Sequence, residues 1–159
     1  MLELSPEQLA SLADIDAINY VARIRSDLVS ADAGLSADAT LSARLWSAFR
    51  VARDYGITTD ENTSAFLRIE AYSPGFYSKP ATRAWLTRPG ATADSRFHDY
   101  LRVLRWRIQH PEFKGGALDG EFGGDGNRGG GNRIGAALGS RWRSLVGWGR
   151  GRGNGKPVG

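Results

Sequence analysis

The chain has 159 residues, 21 Lys/Arg against 17 Asp/Glu and no cysteine. That length predicts one domain with a single modest core. The missing cysteines exclude disulfides, thiolate metal sites and a Cys nucleophile, and fit a cytoplasmic protein. The first residues are acidic and lack the basic and apolar regions of a secretory signal, and no apolar run approaches a membrane span.

Ser5-Pro6-Glu7-Gln8 opens the first predicted helix: Ser5 caps, Pro6 suits the first helical position and Gln8 completes a capping box. Leu4 and Leu9 sit where a hydrophobic staple would join them. Leu9 and Leu12 then begin an apolar stripe that Ala17, Tyr20, Val21, Ile24 and Leu28 continue at spacings of three and four. A break near Ala13–Ile15 would divide this stretch into two helices, and without it the stretch is one. Asp32 to Ala39 is a connector around Gly34.

The next helix carries Leu41, Leu45, Ala48, Phe49 and Ala52 on one face and stops at Gly56. Thr58-Thr59-Asp60-Glu61 restarts the chain with a hydroxyl cap followed by carboxylates at the positive end of the helix dipole. Phe66, Ile69 and Tyr72 turn that helix inward, and Pro74-Gly75 ends it in a type II turn. Pro80 opens a short helix through Leu86. The last strong helix runs from about Thr92 to Gln109 with Phe97, Tyr100, Leu101, Leu104 and Ile108 inward, and Pro111 ends it. With no sustained period-2 alternation, the prediction is an all-α, irregular or orthogonal bundle of four to five helices over residues 1–112.

Beyond that the composition changes. Residues 1–112 hold 13 Lys/Arg and 14 Asp/Glu; residues 113–159 hold 8 and 3, together with 17 of the 21 glycines. Glycine at that density cannot pack a core, so 113–159 is expected to be a mostly disordered, basic Gly/Arg/Trp tail. Within it, apolar residues at 134, 138, 142, 145 and 146 keep helical spacing. Gly135 and Gly139 each cost about 1 kcal/mol relative to alanine, so this segment needs a partner or an anionic surface to fold as a basic amphipathic helix. The glycine-rich run 123–131 lacks the Gly-Lys-Ser/Thr ending of a phosphate loop and follows no hydrophobic strand.

Chemistry is sparse. Two histidines, His98 and His110, and scattered carboxylates make no metal set, and no catalytic residue or cofactor is expected. His98 lies next to Asp99 and four residues before Arg102, which suits a surface histidine near an ion pair. Glu70, between Ile69 and an aromatic turn, is the one acid whose burial would raise its pKa, and an enzyme centred on it would need His98 in the same cleft. Aromatics crowd the Pro-Gly turn. There Phe76 and Trp85 plug the core with Tyr77 covering it, or Phe76, Tyr77, Arg83, Trp85 and Arg88 form an exposed aromatic and arginine surface of the kind used at protein interfaces. Trp142 and Trp148 would anchor the tail to the same partner. The alternative is nucleic-acid binding through Arg141, Arg143, Arg150 and Arg152.

The succession Asp54-Tyr55-Gly56-Ile57-Thr58-Thr59-Asp60, Phe66-Leu67-Arg68-Ile69-Glu70-Ala71, Pro74-Gly75-Phe76-Tyr77, Pro80, Trp85-Leu86-Thr87-Arg88-Pro89-Gly90 and Arg96-Phe97 resembles a group of small proteobacterial proteins encoded beside type VI secretion cargo. The resemblance covers roughly residues 1–110 and leaves out the tail. It implies an accessory role: a chaperone, co-chaperone or adaptor that holds a secreted effector for loading, with an immunity-type inhibitor as the neighbouring possibility. It carries over no catalytic residues.

Overall fold

The computed structural model describes residues 3–110. They form five helices: α1 (Pro6–Ala31), α2 (Leu41–Tyr55), α3 (Asp60–Tyr72), α4 (Pro80–Thr87) and α5 (Ala93–Gln109), with 3₁₀ turns at Ala33–Ala37 and Phe76–Ser78. No strand occurs among the described residues, and the fold is an all-α irregular bundle. The predicted basic tail and its residues lie outside the described part.

Local signals set the helix ends. Gln8 N–H donates to Ser5 Oγ at 3.3 Å and Ser5 N–H donates to Gln8 Oε1 at 2.8 Å, which closes the capping box. From there α1 runs unbroken for 26 residues, about 39 Å at 1.5 Å per residue, with no break at Ala13–Ile15. Helix α2 ends on Gly56 at φ 87°, with Ile57 N–H reaching back to the Ala52 carbonyl at 2.9 Å and Ile57 fully buried behind it. A Cβ at position 56 would meet Ala93 Cβ at 3.3 Å, so glycine also lets α5 start close by. Thr59 and Thr92 cap α3 and α5 by accepting from Asn62 and Ser95 N–H. The Pro74-Gly75 turn closes with Phe76 N–H on the Ser73 carbonyl at 3.1 Å and Gly75 at φ 72°.

Helix α3 lies at the centre, and hydrophobic periodicity alone does not reveal this. Its first turns spell Asp-Glu-Asn-Thr-Ser, yet Asn62, Thr63 and Ser64 are buried along with Phe66, Leu67, Ile69, Glu70 and Ala71. Phe66 and Ile69 enter one core with Ala48, Ala52, Ile57, Phe76, Leu86, Phe97, Tyr100 and Leu104. Leu67 and Ala71 enter a second, with Val21, Ile24, Leu28, Leu41, Leu45 and Phe49. Phe66 is the hub of the first core, with ring centroids 4.8 Å from Phe76, 5.7 Å from Tyr77 and 5.3 Å from Phe97.

The stripe predicted for the first helix is corrected by the structure. Only its later part is buried, at Val21, Ile24 and Leu28; Leu4, Leu9, Leu12, Ile15 and Ile18 are between 47% and 55% exposed. Helix α1 reaches its neighbours with its C-terminal half, and residues 6–16 are exposed on every side.

Candidate functional site

Polar staples fix the junction of α3, α4 and α5. The Asp94 carboxylate accepts from the Thr58 and Thr59 N–H groups, from both hydroxyls and from Asn62 Nδ2, at 2.8–3.2 Å. Partial desolvation works against its charge, but these donors win and hold its carboxyl well below the usual carboxylate range. Trp85 Nε1 donates to the Arg96 carbonyl at 3.1 Å, and Arg96 Nη1 donates back to the Arg88 carbonyl. Helix α4, eight residues long, is thereby clamped against α5 at its C-terminal end.

Glu70 is 2% exposed. Its burial pushes the carboxyl pKa up, while the Gly75 N–H at 2.8 Å and Arg44 Nη1 at 3.5 Å oppose that rise. Arg44 also donates to the Glu70 carbonyl at 2.7 Å and pairs with Asp38, which the Thr40 hydroxyl and then Arg44 hold down at about 2. Glu70 thus fastens the Pro74-Gly75 turn to α2. His98 stands exposed on α5, and neither residue lines the groove described next. Among the described residues no group of three His, Asp or Glu is placed to hold a metal ion, and no helix is long and apolar enough to cross a membrane.

An open groove of about 660 Å³ runs along α4 and α5, lined by Trp85, Arg88, Asp99, Arg102, Val103, Arg105, Trp106 and Gln109. The Arg88 guanidinium lies 4.2 Å from the Trp85 ring centroid and 3.2 Å from Asp99 Oδ2; Arg102 reaches Asp99 Oδ1 at 3.5 Å. Trp106 is 44% exposed and stacks on His110 at 4.6 Å, and His110 Nδ1–H donates to the Trp106 carbonyl at 2.8 Å. Three arginines against one aspartate leave the lining positive. Two indoles give it flat apolar area that loses little conformational freedom on binding, the composition of an interface hot spot.

The surface predicted from sequence is therefore divided. Phe76, 1% exposed, is a core residue whose ring is closed to any partner; the shape of the Pro-Gly turn drives it inward. Tyr77 is half-buried, stacked on Phe66 and edge-on to Phe76, and its carbonyl accepts from Tyr55 Oη at 3.4 Å. Arg83 is exposed on α4 away from the groove lining. Trp85 and Arg88 do come together in the groove. Trp142, Trp148, Arg141, Arg143, Arg150 and Arg152 lie outside the described residues. Trp106 and Arg105 were not among the residues singled out from the sequence, and Arg102 figured there only as an ion-pair neighbour of His98. The signal was present, because Trp106 falls nine residues, half a turn, from the inward Phe97, on the opposite side of α5.

Gly56, Ile57, Thr58, Thr59, Phe66, Ile69, Glu70, Gly75, Phe76, Arg96 and Phe97 shape turns, staples and core. No protein-family model, curated protein or solved structure matches the chain.

Proposed function

We propose that this chain is a non-enzymatic protein-binding accessory that receives a segment of another protein in the α4–α5 groove. The observation that carries this reading is the pair of indoles, Trp85 and Trp106, framing a groove with Arg88, Arg102 and Arg105 on its wall. Such a lining suits a segment with an apolar or aromatic anchor beside Asp or Glu. The resemblance over roughly residues 1–110, on motifs between 54 and 97, favours an adaptor or co-chaperone for a secreted effector over an immunity-type inhibitor. In that role, holding cargo without chemistry needs a rigid groove and no catalytic group.

The test is affinity capture by the full-length chain in its host, with nuclease treatment and mass spectrometry, in parallel with Trp106→Ala and Trp85→Ala. One near-stoichiometric protein partner, lost at least tenfold with Trp106→Ala while the protein stays folded, is the expected result. Equal capture by folded Trp106→Ala contradicts the groove as the contact. Capture that nuclease abolishes moves the function to nucleic acid and to the tail arginines.

A further inference from the structure

Residues 6–16 of α1 form an arm with no side chain buried. Leu9, Leu12, Ile15 and Ile18 follow one another at intervals of three, a single ridge winding along the helix, each about half exposed. Helical stretches this short are marginal in water unless tertiary packing supports them. The arm is also acidic: Glu3, Glu7, Asp14 and Asp16 precede the first basic residue, Arg23.

One segment of the same chain has the complementary character. Residues 133–152 hold five arginines and no acid, and Ile134, Leu138, Trp142 and Val146 recur at intervals of four. We propose that residues 133–148 dock on the α1 arm of their own chain, with the arginines meeting its carboxylates and the apolar positions meeting its ridge.

Reach does not limit the contact. The 22 residues from 111 to 132 have a contour length of about 75 Å, while the whole of α1 is about 39 Å long. Tethering also makes the encounter intramolecular, at an effective concentration in roughly the millimolar range. Charge argues against a second copy on this face, since two arms side by side would oppose carboxylates to carboxylates. The α1 arm shares no residue with the α4–α5 groove, so the inference does not depend on the function proposed for that groove.

The experiment uses the full-length chain, which has no cysteine, carrying Ser140→Cys with a nitroxide label and read by amide relaxation. Amides of residues 9–18 should lose more than half their intensity. Arg141→Glu with Arg143→Glu should restore it without touching the arm, as should Asp14→Lys with Asp16→Lys, and combining the four changes should bring the broadening back. No broadening at 9–18, or broadening centred on α4 and α5, overturns the proposal. So does broadening of equal size when the nitroxide sits only on an isotopically unlabelled copy mixed into the sample, which would mean that a second chain covers the arm.

Discussion

The two halves of the molecule use apolar residues in opposite ways. In the body built from α2 to α5 and the later half of α1, nearly every large apolar side chain is packed, and buried polar groups such as Glu70 and Asn62 are hydrogen-bonded. In the first half of α1 the same residue types stand in solvent at about half exposure, with carboxylates the only charged groups among them. Spacing dictates that a stretch is helical and amphipathic; what lies next to it decides whether its apolar face is core or contact surface.

The sharpest way to break the comparison is through the hub of the body. Phe66→Ala should destabilise the fold by about 3–5 kcal/mol in urea unfolding, because a fully buried ring with three aromatic neighbours leaves a cavity that a capped and stapled helix cannot close. Glu70→Ala should cost about 1–2 kcal/mol by leaving the partly buried Gly75 N–H without its acceptor, while Glu70→Gln, which keeps an acceptor, should cost less than about 1 kcal/mol. Asp94→Ala should cost about 1–2 kcal/mol through the loss of its donors on Thr58, Thr59 and Asn62.

Acid sharpens the same contrast between staples. The folded pKa of Asp94 lies below its ordinary 3.8, so its contribution is complete above that value and is lost as pH falls toward the folded pKa. Glu70 has the opposite sign. Its folded pKa is raised above 4.5, so the fold takes up a proton first and gains stability as pH falls through that window. Between pH 5 and 3 the urea midpoint of Asp94→Asn should therefore fall less steeply than that of the native chain, and that of Glu70→Gln more steeply. The smallest effect belongs to the arm: Ile15→Ala should shift global unfolding by less than about 0.5 kcal/mol, since that side chain contributes nothing to either core.

Much of this was legible in the chain itself. Ser5 and Gln8, Gly56, Thr59, Pro74-Gly75 and Thr92 mark their helix ends because capping is decided within a few residues. The α2 stripe Leu41, Leu45, Ala48, Phe49 and Ala52 is buried throughout, as its spacing predicts. Two features were not legible, for one physical cause. The bareness of Leu9 and Leu12 and the central burial of the polar start of α3 both depend on which elements meet in space. The candidate site was half legible. Trp85 and Arg88 stood out by their crowding near the turn, whereas Trp106 becomes a groove residue only once α4 is clamped beside α5 by the Trp85 and Arg96 bonds.

Native-state hydrogen exchange on the full-length chain tests the division of α1 most directly. Amides of residues 21–31 should exchange only with global unfolding, like those of α2 and α3. Amides of residues 9–18 should exchange by local opening, at least tenfold faster than those of residues 21–31. Uniform protection along all 26 residues would contradict the account.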